Sequence, residues 1–179
     1  GGKGVLTRPA GVRFGSKTGT AVESSNANVL LNADAFVFDT PLSGFASEVR
    51  TTGTVTLQPS GDDFSSAQIL PSANFSVGSG VSGLTIGKAA SGSDGTSDVN
   101  VTIDNTINIT GPIKLYGANL SLNSALTATN SDINLYASGA VTQTAALTAN
   151  GLGLHGSGTF TLTNAANNIA TIAGGDANN

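Results

Sequence analysis

The sequence predicts an all-β protein, folded as a right-handed parallel β-helix with about 20 residues and three short strands in each coil. One five-residue segment recurs at an interval of about 20 residues: Ile113-Lys-Leu-Tyr-Gly117 returns as Ile133-Asn-Leu-Tyr-Ala137 and again as Leu152-Gly-Leu-His-Gly156. Apolar and polar residues alternate within each segment, as they do in a strand with one buried face. No long stretch has the period of a helix, so stacked strands are the predicted unit.

The regular coils are predicted in residues 51–179, each with three strands separated by short bends of Gly, Asn, Asp and Ser. In two consecutive coils the strands are predicted at residues 99–103, 107–109 and 113–115, and at residues 120–122, 126–128 and 133–135. The side chains expected to line the interior are Leu115, Leu120, Leu122, Leu126, Ile133, Leu135, Leu154, Phe160 and Leu162. The Thr, Asn, Ser and Lys residues between them are expected to face water.

Residues 1–50 are predicted to form N-terminal coils that do not follow one register. A single column of similar strands is predicted along most of the chain, at residues 36–38, 55–57, 75–77, 99–101, 120–122, 140–141 and 160–162. Successive members begin about 20 residues apart, except for one longer step that contains the polar residues 88–98. That stretch is predicted to leave the stack as a loop insertion.

A β-sandwich is the alternative fold, because it also consists of many short strands joined by turns. The strands of a sandwich, however, need not repeat the same residue types at the same interval. The recurrence therefore favours the β-helix.

The composition indicates a folded chain that carries little charge. Hydrophobic residues make up 39% of the 179 residues and charged residues 10%, whereas disordered chains combine low hydrophobicity with high charge. The net charge is −4 and the Lys and Arg residues do not cluster, so neither nucleic acid nor an anionic membrane surface is expected as a partner. The apolar runs are too short for a transmembrane helix, and no membrane insertion is expected.

The absence of cysteine excludes disulfides, thiol nucleophiles and cysteine metal sites, and it favours export, where free thiols can mispair. The chain has no Met and opens on Gly1-Gly-Lys-Gly4, so we expect it to be a piece of a longer protein. The expected partners are further repeats of the same polypeptide or other copies in end-to-end self-association, because a solenoid without caps leaves strand edges unpaired.

Four short segments of the chain are similar to the repeats of a known family. They are Gly53-Thr-Val-Thr-Leu57, Asp132-Ile-Asn-Leu135, Gly139-Ala-Val-Thr-Gln143 and Gly158-Thr-Phe-Thr-Leu-Thr-Asn-Ala-Ala-Asn167. Residues 50–175 resemble the β-strand repeats of the filamentous-haemagglutinin type of large exported bacterial protein. The resemblance implies a right-handed β-helix that a partner transporter passes across the outer membrane, in a family with many adhesins. The Asn-Pro motifs of that family's secretion domain do not occur, since none of the five prolines follows Asn.

The acidic residues are scattered along the chain, so no catalytic or cofactor-binding residue is predicted, and the protein is expected not to be an enzyme. A polysaccharide-cleaving β-helix would need several carboxylates, usually with Arg or Lys, on one face. Asp94 and Asp98, in the predicted loop insertion, are candidate Ca²⁺ ligands because hard cations favour clustered oxygen atoms. Two carboxylates are too few for a site that binds Ca²⁺ tightly. We therefore favour the interpretation that this segment is a loop without a bound metal.

Side chains alternate between the two faces of a strand, so inward Leu115 and Leu135 are each followed by an outward aromatic residue. The outward residues are Tyr116, Tyr136 and His155, and their spacing places them one above another on consecutive coils. We name these three residues the aromatic ladder. One interpretation is that the stacked rings stiffen one edge of the molecule. The other is an aromatic platform for a sugar or another filament. The structural role is favoured, because three rings make a narrow patch.

These patterns together predict a structural or adhesive shaft segment of a large exported bacterial surface or filament protein, secreted or located at the cell surface. Glycans of the host cell or matrix are the ligands that such an adhesin would bind. The alternative function is a carbohydrate-binding or carbohydrate-cleaving β-helix domain. Outward acids or aromatics gathered across adjacent coils would favour that alternative, whereas uniform Thr, Asn and Ser would favour a shaft.

Overall fold

The computed structural model describes residues 4–8, 12–14, 22–38, 47–89 and 99–175, with side chains from residue 22 onward. These residues form β-strands and no helix, so the predicted all-β class is confirmed. The strands are β1 Gly4–Arg8, β2 Val12–Phe14, β3 Val22–Glu23, β4 Val29–Ala33, β5 Phe36–Phe38, β6 Ser47–Arg50, β7 Thr54–Gln58, β8 Gln68–Ile69, β9 Phe75–Val77, β10 Gly83–Ile86, β11 Val101–Ile103, β12 Ile107–Ile109, β13 Ile113–Gly117, β14 Leu120–Leu122, β15 Leu126–Ala137, β16 Ala140–Gln143, β17 Leu147–His155, β18 Thr159–Thr161 and β19 Asn168–Gly175.

The pairings between these strands are parallel. The largest sheet has nine strands among the described residues, with β1, β4, β7, β10, β13, β15, β17 and β19 in that order and β12 beside β15. A second sheet has the order β18, β16, β14, β11, β8, and two smaller sheets join β2 to β5 and β3 to β6 and β9. Strands that are neighbours in a sheet are separated in the chain by a crossover, as parallel pairing requires. The arrangement is compatible with a β-helix or solenoid.

The register of the large sheet places apolar residues of successive strands directly beside one another. Leu84 pairs with Ile113, Ile113 with Ile133, and Ile133 with Leu152. All four side chains are buried. Full burial of an aliphatic side chain stabilises a fold by about 2 kcal/mol, so this column is a main source of cohesion between the strands.

The interval between paired residues changes along the large sheet. The paired residues Ile113, Ile133 and Leu152 follow one another at a step of about 20 residues. The preceding step, from Leu84 of β10 to its partner Ile113, is longer by nearly half. The spacing of the sequence repeat therefore describes the C-terminal strands, whereas the earlier crossovers contain longer connections.

The single column of strands predicted along the chain is wrong in its N-terminal half. The structure separates β5, β7 and β9 into three different sheets, although the three segments show the same apolar alternation. In the C-terminal half the column exists, but Leu120 pairs with Val101 rather than with Val99. The physical reason is that each crossover contains several strands of the same apolar type, so residue type alone does not identify the sheet to which a strand belongs.

The strand β15 unites two short strands that the sequence pattern separates. β15 is continuous from Leu126 to Ala137, and its pairing with β17 is irregular between Ala128 and Asp132. Asn130, within that irregularity, has a φ of 59°, in the left-handed region that Asn tolerates better than most residues. The predicted bend is thus a local turn of the backbone inside a long strand.

The buried apolar side chains of the described residues form one cluster, which thins out at the C-terminal strands. Six of the residues predicted to be interior are buried: Leu115, Leu120, Leu122, Leu126, Ile133 and Leu135. Leu154, Phe160 and Leu162 also pack against this core, as predicted, but they are half-buried rather than fully enclosed. Phe160 lies in β18, at the end of its sheet, and Leu154 pairs with Gly174, which has no side chain to cover it.

Candidate functional site

The aromatic ladder lies on the outer face of the large sheet, near the C-terminal ends of three neighbouring strands. Tyr116 in β13 pairs with Tyr136 in β15, and Tyr136 pairs with His155 in β17. The ring centroids of the two tyrosines are 4.3 Å apart with 10° between the ring planes, and those of Tyr136 and His155 are 4.4 Å apart with 12°. The structure thus brings the three residues together as one stack of half-buried rings.

Face-to-face stacking determines which surfaces of these rings a ligand can reach. Both faces of the Tyr136 ring are covered by its neighbours, so its edge is the part that meets solvent. Beyond the two ends of the ladder lie glycines: Gly87 in contact with Tyr116, and Gly175 opposite His155. A sugar that stacked on an aromatic ring would require an open ring face. The central ring therefore offers no face to a sugar, whereas the glycines place no side chain over the outer faces of the Tyr116 and His155 rings.

The stack changes the pKa of two of its groups. Burial, the negative charge of Tyr136 when it ionises and a hydrogen bond with the Tyr136 side chain raise the pKa of Tyr116 to about 12. Burial lowers the pKa of His155, whose Nε2 lies 3.2 Å from the Asn134 Oδ1. An imidazole with its proton on Nε2 donates that hydrogen bond. Both shifts favour the uncharged forms of Tyr116 and His155, and the ladder offers hydrogen bonds and apolar ring edges.

Removal of the central ring measures how much the ladder stabilises the fold. We expect Tyr136→Ala to lower the free energy of unfolding by about 2 kcal/mol, because two ring contacts and their buried area are lost. The pKa of Tyr116 should fall from about 12 toward its ordinary value of 10.0, since two of the three causes of the shift involve Tyr136. Urea unfolding measures the stability, and ultraviolet titration of the phenolate measures the pKa.

Tyr136→Phe is the matched control, because it keeps the ring and removes the hydroxyl group. Its stability should stay close to that of the unchanged protein, while the pKa of Tyr116 still falls. The folded state favours neutral Tyr116, so this contribution to stability is complete below pH 10.0 and is lost as the pH rises through about 12. Full stability of Tyr136→Ala would contradict the structural role.

Asp94 and Asp98, the candidate Ca²⁺ ligands, lie outside the described residues, as does most of the predicted loop insertion. At the start of that insertion the Lys88 Nζ donates a hydrogen bond to the Gly61 carbonyl oxygen at 3.1 Å and lies 3.7 Å from the Asp62 Oδ1. In the part of the chain that the structure describes, no group of three or more His, Cys, Asp and Glu side chains could hold a metal ion.

A polar groove of about 440 Å³ lies along the turns that follow β3, β6 and β9. These three strands form one small parallel sheet, so the residues that follow each strand lie side by side. The groove is lined by Glu23, Ser24, Ser25, Glu48, Arg50, Thr51, Thr52, Gly78, Ser79 and Gly80. Two carboxylates, one guanidinium and several hydroxyl groups therefore meet in one cavity. We name it the polar groove.

The strand register brings the charged side chains of the polar groove together. Glu23 pairs with Arg50 across β3 and β6, and the Arg50 Nε donates a hydrogen bond to the Glu48 Oε2 at 2.6 Å. The Thr51 hydroxyl donates to the Ala27 carbonyl oxygen at 2.6 Å and ties the turn after β6 to the layer before it. The sequence repeat does not predict this group, because Glu23 and Arg50 are farther apart in the chain than one period, so the repeat does not align them.

The C-terminal end of the stack exposes apolar surface. A depression of about 550 Å³ there is lined by Leu152, Leu154, Phe160, Leu162, Thr163, Asn164, Asn167, Ile169 and Ile172. Ile172 is 68% exposed, although its partner Leu152 in β17 is buried. Its strand, β19, is the last of the large sheet, so no described strand pairs with its outer edge.

Comparisons with protein-family models, curated proteins and solved structures find no match to the chain. Among the residues that the structure describes, none belongs to a helix long and apolar enough to cross a membrane. The described strands define the protein as an all-β protein of parallel sheets, with the aromatic ladder, the polar groove and the apolar C-terminal end as its candidate functional surfaces.

Proposed function

We propose that the protein is a structural and adhesive shaft segment of a large exported bacterial surface or filament protein, without catalytic activity. The observation that supports this best is the run of parallel strands from β10 to β19, in which inward apolar residues repeat from strand to strand. We also propose that the strands wind as a right-handed parallel β-helix, with about 20 residues in each C-terminal coil. Coils of a solenoid contact their nearest neighbours, so such a molecule can grow in length without a change of fold.

The outward column of the second sheet from β11 to β18 supports a shaft by its uniformity. Thr102 pairs with Ser121, Ser121 with Thr142, and Thr142 with Thr161, so small hydroxyl side chains follow one another along the stack. A uniform column of this kind is the pattern that distinguishes a shaft from a glycan-cleaving surface. We place the protein outside the cell, secreted or at the bacterial surface, after passage through a partner transporter as in the family it resembles.

Attachment of coated beads to cells tests the adhesive function. Beads coated with the purified protein should attach to cultured epithelial cells in larger numbers than beads coated with the Leu135→Asp variant, which is expected to be unfolded. Equal attachment of the two kinds of bead would contradict an adhesive role for the folded shaft.

We propose that the apolar C-terminal end is covered by a further layer of parallel strands, from more repeats of the same polypeptide or from a second copy in end-to-end association. The outer edge of β19 offers backbone N–H and C=O groups to such a layer. The exposed Ile172 and half-buried Phe160 offer it an apolar surface. A strand added there would extend the large sheet in its existing direction.

Ile172→Lys should weaken self-association at this end, because it places a charge in an apolar contact and lysine on an edge strand opposes pairing. We expect the dissociation constant of the dimer, measured by light scattering over a range of concentrations, to rise at least tenfold, or by about 1.4 kcal/mol. Thr142→Lys is the control, because it adds the same charge to an exposed position on the side of the stack. A monomeric unchanged protein at every concentration would contradict association between copies.

A second candidate function is carbohydrate binding or cleavage, and the polar groove favours it. Glu23, Glu48 and Arg50 gather across adjacent strands, which is the pattern expected of a glycan site. The two activities are separable, because cleavage releases new reducing ends from an oligosaccharide and binding alone does not. We propose binding, in keeping with a shaft that is not an enzyme.

A further inference from the structure

We infer that the polar groove is a binding site for neutral glycans, that is, oligosaccharides whose sugar units carry hydroxyl groups and no net charge. The inference rests on the adhesive part of the proposed function and assigns a site to it. Four properties of the groove lead to this ligand: its space, its charged pair, its hydrogen-bonding groups and its net charge.

The space in the polar groove suits a small part of an oligosaccharide. Its volume of about 440 Å³ lies within the range of ligand sites in proteins. Two glycines after β9, Gly78 and Gly80, leave room between the neighbouring turns. A Cβ at Gly78 would lie 3.3 Å from the Glu48 Oε1 and 3.5 Å from the Arg50 Cγ, so these two side chains extend across the glycine backbone.

The charged pair of the groove is joined by a hydrogen bond and rests on the backbone of Gly78 before any ligand arrives. The Arg50 Nε binds the Glu48 Oε2, and both side chains rest against Gly78. The Glu48 side chain is 24% exposed and that of Arg50 is 60% exposed, so the rest of the guanidinium faces the solvent of the groove. A pair that is already joined loses less conformational freedom when it binds a ligand, which favours binding.

The hydrogen-bonding groups of the groove match sugar hydroxyls. A hydroxyl group donates one hydrogen bond and accepts others, so it suits a carboxylate, which accepts, and a guanidinium, which donates. Bonds of this kind to a charged partner are stronger than those between neutral groups. The exposed Ser25, Thr52 and Ser79 add further hydroxyl groups along the rim.

The charge of the groove selects neutral glycans over acidic ones. Glu23 and Glu48 together carry two negative charges and Arg50 carries one positive charge, so the part of the lining that the structure describes is negative overall. A uronate or another acidic sugar would bring its carboxylate near two others, which is unfavourable. The described lining residues include no aromatic ring, so affinity is expected to depend on hydrogen bonds and to be weak for a single site.

A titration followed by nuclear magnetic resonance tests the inference residue by residue. The probe is the neutral hexamer of N-acetylglucosamine, added to the ¹⁵N-labelled full chain. We expect saturable shifts of the backbone amides of Thr51, Thr52, Gly78 and Gly80, which line the groove. The hexamer of galacturonate, which is acidic, is expected to shift these amides less at the same concentration.

Two variants change the groove in different ways. Glu48→Gln removes a charged hydrogen-bond acceptor, and Gly80→Val fills space, since a Cβ at Gly80 meets the Thr51 carbonyl oxygen at an ordinary contact distance of 3.5 Å. Each should raise the dissociation constant of the neutral hexamer at least about tenfold. Lys114→Gln is the matched control, because it removes an exposed charge on the outer face of the large sheet and should leave the affinity unchanged.

Absent shifts, unchanged affinity in Gly80→Val or tighter binding of the galacturonate hexamer would overturn the inference. The bead assay separates this failure from failure of the proposed function. Beads that attach to cells equally well with and without Gly80→Val would show adhesion through another surface. Groove shifts without any attachment to cells would leave the glycan site standing and reject the adhesive shaft.

Discussion

Replacing Leu135 with aspartate is expected to unfold the layers around β15 and to abolish cooperative unfolding of the C-terminal half. Leu135 is fully buried and lies between Leu115 of β13 and Leu154 of β17. A carboxylate at this position would lose its hydration without gaining a partner, which costs several kcal/mol. We expect a loss of about 4 kcal/mol or more in the free energy of unfolding, measured by urea denaturation with circular dichroism.

Two further variants make the result specific to burial. Leu135→Ala removes the apolar contacts without adding a charge and should cost about 3 kcal/mol. Thr129→Asp places the same carboxylate at an exposed position of the same strand and should change stability by about 0.5 kcal/mol or less. If Leu135→Asp were as stable as Thr129→Asp, the inward register of β15 would be wrong.

The aromatic ladder illustrates what the sequence can predict. Its prediction required two local facts: alternation of apolar and polar residues within a strand, and nearly equal intervals between Tyr116, Tyr136 and His155. Where the connections between strands have constant length, residues that are one repeat apart in the sequence lie directly beside one another in the sheet. The pairing of these three residues in β13, β15 and β17 follows from that condition.

The polar groove illustrates what the sequence does not predict. Its residues lie in the N-terminal half, where paired residues are farther apart in the chain than the repeat of about 20 residues: Glu23 pairs with Arg50, and Val49 pairs with Val77. Those intervals depend on how many residues each crossover contains, which alternation does not reveal. The side chains of Glu48 and Arg50 also interact through their exposed ends, and such contacts leave no periodic pattern in a sequence.

The half-buried state of Leu154, Phe160 and Leu162 has a different cause. Alternation identifies the face of a strand that points toward the interior, and for these residues it does so. Burial also requires a neighbouring layer with side chains of sufficient size, and β19 offers Gly174 opposite Leu154. The burial of a side chain at the end of the stack therefore depends on the side chains of the neighbouring layer. The residue pattern within one strand gives no information about that layer.

The second large effect on stability is expected at Gly111, where the backbones of two neighbouring layers approach closely just before strands β10 and β13. Since Leu84 pairs with Ile113, Ser82 lies beside Gly111, two positions earlier in each chain segment. Gly111 is buried, and a Cβ at this position would overlap the Ser82 carbonyl oxygen. A backbone carbonyl cannot rotate away as a side chain does, so the two layers would have to separate.

Gly111→Ala is therefore expected to destabilise the protein by about 3 kcal/mol or more, because separation of the layers also strains the hydrogen bond from the Leu84 N–H to the Pro112 carbonyl oxygen at 2.9 Å. Gly61→Ala is the matched control: Gly61 is exposed, and no atom lies within 4 Å of a Cβ built there. That variant should change stability by about 0.5 kcal/mol or less. Urea unfolding of the two variants under the same conditions measures the difference, and equal stabilities would show that the layers do not approach closely at Gly111.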